Sequence, residues 1–259
     1  METLTIPLRP VLLFAVVLAR VGGLVSFAPF WSLRAVPNRV RVTLGLVMAL
    51  IITPVVAPRL ETPPTEMLSL ALIIIGELLI GCALGFVGQL VFSSLEMAAH
   101  ILSSQMGFTL GAIINPMTQA QTSPLGTMAQ MCGLVVLMAA DGHHWLLSAT
   151  VRSFQAVPPG GFSATPRMAQ LILRLSADVL AVGVALAAPA IIILLTVEFA
   201  LAIAGRVAPQ LQVLILGFPI KIMVGLWLIG ASLYFLPGAF RDVLSAVRQG
   251  LLHALETMK

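Results

Sequence analysis

Long apolar stretches, each interrupted by a lone charge, constrain this chain more than any other feature. Arg20 stands at the centre of Pro10–Phe30, Glu77 lies inside Met67–Leu95, Glu198 follows the run Val179–Val197, and Lys221 lies inside Val207–Leu236. A membrane-spanning helix needs about 20 mostly apolar residues. A charge at a lipid-facing helix centre costs at least about 2.5–3.5 kcal/mol. The stretches therefore read as helices whose charges face protein and not lipid. Composition agrees: 59% of the 259 residues are apolar and 9% charged, against about 45–50% and 25% in soluble domains. So few charges cannot cover a water-facing surface. The expected class is all-α, a set of membrane-associated helical hairpins with no independent soluble domain.

The remaining segments fit less cleanly. Val42–Pro58 is uncharged but short, Val179–Val197 contains Pro189, and Ile222–Phe240 is apolar throughout. Between Glu96 and Gln121 the chain turns polar, and Leu125–Ala140 is apolar again. The N-terminal stretch runs on to Phe30 with no A-x-A cleavage site, so it is read as mature structure. Alternating the loops across a membrane leaves arginines on both sides: Arg34, Arg39 and Arg41, then Arg59, Arg152, Arg167 and Arg206. Ordinary multi-pass proteins avoid this. Val42–Pro58 and the charge-bearing segments are accordingly expected to be covered by partner subunits, not individually exposed to lipid. Gly81, Gly85 and Gly88 line one helix face and Gly107 and Gly111 repeat the four-residue spacing; such faces suit close packing within the chain or against a neighbour.

Several functions are disfavoured. The net charge of +4 comes from scattered Lys and Arg, so no nucleic-acid surface is expected. Cys82 and Cys132 sit in apolar segments without CxxC spacing and read as small buried hydrophobes. HExxH, G-x-S-x-G, GxGxxG after a strand and the P-loop are all missing, so neither an enzyme nor a cofactor is expected. Asp141-Gly142-His143-His144 has the residue types of a metal site. Adjacent histidines point to different helix faces, however, and no third ligand follows at i+3 or i+4, so a polar turn is expected and no metal. Glu96 and His100, an i,i+4 pair among serines, read as a polar helix stripe and not as a proton relay.

Four sets of residues, in order along the chain, carry a family resemblance. They are Arg20 with Ala28-Pro29-Phe30 and Ala35-Val36-Pro37-Asn38-Arg39-Val40-Arg41; Gln105-Met106-Gly107-Phe108 with Ile114-Asn115-Pro116; Gly142-His143 with Ser153-Phe154 and Pro158; and Arg206-Val207-Ala208-Pro209-Gln210 with Gly217-Phe218-Pro219-Ile220-Lys221. Together they resemble the FliR/SctT/SpaR family of type III export-gate subunits. Asn115 departs from the acidic residue that precedes the proline in that family.

The resemblance implies a structural and gating subunit of the flagellar type III export gate in the bacterial inner membrane, at the flagellar basal body. Its implied partners are FliP-like and FliQ-like subunits, an FlhB-like subunit, membrane lipid and the unfolded flagellar proteins that are exported. It also implies a FliP-like part over 1–165, fused to a FliQ-like hairpin over 166–259. The loop after the Gln-Met-Gly motif becomes a channel-plug candidate: Gly111, Ala112, Ile113, Ile114, Asn115, Pro116 and Met117, with Gln105, Met106, Gly107 and Phe108 beside the gate. Glu198 and Lys221 stand equally far from a turn at Ala208-Pro209-Gln210 and are a candidate buried charge pair, the other reading being that each meets a partner subunit. The alternatives are the injectisome counterpart and a small-molecule secondary transporter, the latter weakened by the lack of two self-similar halves.

Overall fold

A computed structural model describes residues 8–29, 31, 36–59, 64, 66–108, 124–139, 141–161, 166–208, 216–232 and 238. These residues are helical almost throughout and include no strand. The helices are α1 (Leu8–Phe27), α2 (Asn38–Val56, continued by a 3-10 turn Ala57–Arg59), α3 (Met67–Gln105), α4 (Pro124–Ala139), α5 (Gly142–Ala156), α6 (Pro166–Val207) and α7 (Leu216–Ser232). α1, α2, α3 and most of α6 are long and apolar enough to cross a membrane, and α4 with α5 could supply one further, broken span. At 1.5 Å per residue the 39 residues of α3 and 42 of α6 reach roughly 60 Å, twice a bilayer's hydrocarbon thickness. Neither fits inside lipid along its whole length.

The helices form two compact units, each built from separated parts of the chain. The first contains the described residues of Met1–Leu90 and Asp141–Leu173, the second those of Val91–Ala140 and Arg174–Ser245. α3 and α6 each contribute residues to both units.

In the first unit α1 packs on α2 and α3. Val16, Val17, Val21 and Leu24 of α1 are fully buried. Glycine sets the α1–α3 distance. A Cβ on Gly81 would collide with the Arg20 carbonyl, one on Gly85 would lie 2.7 Å from the Leu24 carbonyl, and one on Gly23 would lie 2.8 Å from the Cys82 nitrogen. Backbone thus meets backbone, the close approach that small residues permit. Gly81 and Gly85 therefore pack within the chain. Gly81→Ala is expected to cost about 1–3 kcal/mol by overpacking and to lower the midpoint of thermal unfolding in detergent. An unchanged midpoint would mean that the two helices separate freely.

The second unit is built around Met106, Leu125 and Leu194, with Leu102, Ile222, Val224, Leu228 and Ile229 packed against them. α3 does not stop where the sequence turns polar at Glu96 but continues to Gln105. Its polar residues find places inside this unit: Ser94 and Ser103 are buried, and Glu96 accepts a 2.7 Å hydrogen bond from Gln130 Nε2 on α4. His100, four residues on, is exposed. α6 continues through Pro189, which removes one i→i−4 bond from an otherwise intact ladder. The apolar run Val207–Leu236 is divided, since α6 ends at Val207 and α7 begins at Leu216.

Large apolar side chains remain exposed on several helices, including Val47, Leu50 and Ile51 on α2, Ile192 and Phe199 on α6, and Met223 and Trp227 on α7. Patches of this kind need lipid or another protein to cover them.

Candidate functional site

Arg20 is a fully buried charge of the first unit, and its setting follows from how α5 ends. Pro158 disfavours helical backbone at the residue before it, so α5 stops at Ala156 and Val157 is extended (φ −126°, ψ 95°). The Val157 N–H still donates to the Ser153 carbonyl at 2.8 Å, while its own carbonyl turns away from the helix. Pro158-Pro159-Gly160-Gly161 then forms a tight turn, closed by Gly161 N–H on the Pro158 carbonyl at 2.9 Å, with Gly160 at φ 83°. Glycine takes that φ without steric cost.

Into this corner α1 delivers Arg20. Its Nε donates to Glu77 Oε2 on α3 at 2.6 Å, Nη1 to Ser153 Oγ at 3.0 Å and Nη2 to the Val157 carbonyl at 3.0 Å. The guanidinium carbon lies 3.9 Å from the centroid of the Phe154 ring, within cation–π range. Arg20, Glu77 and Ser153 are all fully buried. Three helices that share no sequence neighbourhood are joined by one side chain. Arg20, Ser153, Phe154 and Pro158 belong to two of the quoted family stretches, and the structure brings those stretches together. Glu77, in none of them, is the partner that sequence reasoning missed. Its one available signal is a lone acid beside the Gly81 and Gly85 face, as Arg20 lies beside Gly22 and Gly23.

In the second unit the Gln105–Phe108 motif is the C-terminal cap of α3. Gly107 adopts φ 86°; its N–H donates to the Ser104 carbonyl and that of Phe108 to the Ser103 carbonyl, both at 3.1 Å. This is the Schellman arrangement, which requires left-handed backbone and so favours glycine. The cap points Met106 inward, where it is fully buried, and leaves Phe108 39% exposed. A Cβ on Gly225 of α7 would collide with Met106, so Met106 fills the space a side chain at 225 would occupy. The plug candidates Gly111, Ala112, Ile113, Ile114, Asn115, Pro116 and Met117 lie outside the described residues.

Glu198 on α6 and Lys221 on α7 approach to 3.2 Å. They are not buried as a pair within this chain: the lysine side chain is 17% exposed and the glutamate 53%. Leu195 and Phe199, near it along α6, are exposed apolar residues. The paired lysine reaches it from the next helix, so the carboxylate need not turn inward to meet its counter-charge.

The sequence model of bacterial export proteins, family 1, matches residues 11–247. The chain is 33% identical to the flagellar biosynthetic protein FliR of Escherichia coli over 214 residues, covering 83% of this chain and 81% of that protein. It is also 33% identical to FliR of Caulobacter vibrioides over 219 residues, 85% of this chain and 87% of that one. Yop proteins translocation protein T of Yersinia pestis is 30% identical over 219 residues, 82% of each chain. With a helical fold throughout the described residues and a match reaching from α1 past α7, the chain belongs to the bacterial export proteins, family 1.

Proposed function

We propose that this chain is the FliR-type structural and gating subunit of a flagellar type III export gate. In this reading it has no enzymatic activity, sits in the inner membrane at the flagellar basal body, and helps form the channel that passes unfolded flagellar subunits. The observation that carries the reading is the match over residues 11–247, with flagellar relatives at 33% identity. The injectisome counterpart is the second reading, favoured by the Yersinia relative at 30%.

The chain assembles with FliP-like and FliQ-like subunits and meets an FlhB-like subunit. Residues 1–165 correspond to the FliP-like part and 166–259 to the FliQ-like hairpin. Exposed apolar faces on α2, α6 and α7 support neighbours of this kind, as does the half-exposed Glu198 on α6, whose chain neighbour Phe199 is an exposed apolar residue. A carboxylate so placed suits a protein surface that offers a donor better than it suits lipid. α2 and the charge-bearing helices are then covered by subunits and are not separate lipid-facing spans.

Residues 111–117 form the plug, following the capped end of α3. Deleting several of them is expected to leave the chain co-purifying with FliP-like and FliQ-like subunits while the membrane leaks ions or small molecules. An assembled complex with unchanged permeability would refute the plug, and a chain that purifies as a homogeneous particle without those subunits would refute the gate.

A further inference from the structure

We propose that Asp141, His143 and His144 form a three-ligand site for a divalent transition-metal ion, with zinc the best chemical fit. Spacing alone argues against this, because adjacent helical residues diverge by about 100° around the axis. The third ligand, however, comes from the N-terminal side. Asp141 is the N-cap of α5, and His143 and His144 occupy the first turn. A side chain at the cap can fold back over that turn, as it does when it caps the helix. Here it makes no capping hydrogen bond, although aspartate is among the best capping residues. Asp141 is also the one non-glycine residue with positive φ among the described residues (φ 54°, ψ 29°).

One ligand atom from each of the three residues lies within 4.8 Å of the others. The two imidazole centroids are 4.3 Å apart and the rings are tilted by 41°. Tetrahedral zinc with bonds of about 2.0–2.2 Å holds its ligand atoms about 3.4 Å apart. Closing the set therefore needs the ligand atoms to approach by an ångström or so. Asp141 and His144 are exposed and His143 is half-buried, so an ion can enter from solvent.

Two neutral imidazoles and one carboxylate suit a borderline-soft ion better than calcium or magnesium, which prefer oxygen ligands. The carboxylate offsets the positive end of the helix, which would otherwise repel a cation. Three protein ligands leave a fourth position for water or for a neighbouring subunit's side chain. The site does not depend on the export-gate reading.

The test uses the full chain with whichever subunits accompany it, isolated through an affinity tag that contains no histidine. After stripping with chelator, the protein is reloaded with Zn²⁺ and its metal content measured. Co²⁺ in place of Zn²⁺ reports the ligand geometry through its visible absorption. About one ion per chain is expected, with the dissociation constant raised more than about tenfold in His144→Gln and in Asp141→Asn, at least the loss that disturbing an outer-shell partner causes. Asparagine tolerates left-handed backbone, so Asp141→Asn removes the charge without disturbing the turn. Retention well below one ion per chain would overturn the proposal, and so would equal retention by a His143→Gln/His144→Gln double variant.

Discussion

Arg20→Met, with Glu77 left in place, is expected to cost about 3–5 kcal/mol, the usual loss when one partner of a buried ion pair is removed. Much of the chain should then fail to reach its folded state in the membrane. The size of the effect follows from what Glu77 would lose. Its carboxylate is fully buried, Oε2 is held by Arg20 Nε, and Oε1 has no hydrogen-bond partner among the described residues. Without Arg20 a desolvated anion stands alone between α1 and α3. Protease resistance of the membrane-inserted chain and the amount of intact complex on a native gel would measure the loss.

The double variant Arg20→Met/Glu77→Leu separates two explanations of that result. A buried pair replaced by apolar residues of similar volume is often neutral or stabilising. Ser153 Oγ would keep its 2.7 Å bond to the Thr150 carbonyl, and the new methionine sulfur would face the Phe154 ring, a favourable contact. Ser153 Oγ would lose one of its two bonds, and the Val157 carbonyl would lose its Arg20 donor, at about 1–3 kcal/mol. Folded protein should therefore recover in the double variant to well above the level of either single one. Recovery of folding without recovery of motility would give the pair a part in export itself. Failure of both would show that Arg20 orders the α5 corner through contacts that no apolar residue can replace.

The apolar stretches make the helical class and the membrane setting legible, because length and lack of charge leave few other ways to satisfy the backbone. The helix ends are less legible. Polarity from Glu96 onward reads as a helix stripe and α3 does continue to Gln105, but neither where it ends nor that Gln130 is the partner of Glu96 is written in the spacing. Arg20 declares itself as a charge that needs a partner, but Glu77 is 57 residues away. The glycines beside each charge are the one signal in the sequence, and it becomes a pairing only through the α1–α3 packing. Glu198 and Lys221 come together as expected, but the turn at Ala208-Pro209-Gln210 from which this is reasoned lies largely outside the described residues, and their unequal exposure depends on how the helices lie. The cluster at Asp141 shows a limit of periodicity: rules for helix faces hold inside a helix and weaken at its first turn, where the cap residue can fold back.

A steric exchange between Met106 and Gly225 is the other large effect expected. Met106 is fully buried against Leu125 and Leu194, and a Cβ at position 225 would meet its side chain, not its backbone. Gly225→Val should therefore force Met106 out of its seat, at about 1–3 kcal/mol for overpacking. Met106→Ala should leave a cavity instead, at about 2–5 kcal/mol. The seat lies at the capped end of α3, immediately before the segment proposed to close the channel. Either single variant should therefore lower the thermal midpoint of the complex and reduce export of flagellar subunits. In the double variant the valine occupies volume that the methionine has vacated, so the two costs should not add. A midpoint closer to the unsubstituted protein than either single variant is expected, measured in one detergent at fixed protein concentration. Strictly additive losses would place Met106 and Gly225 in separate packing environments and would remove the link between the end of α3 and α7.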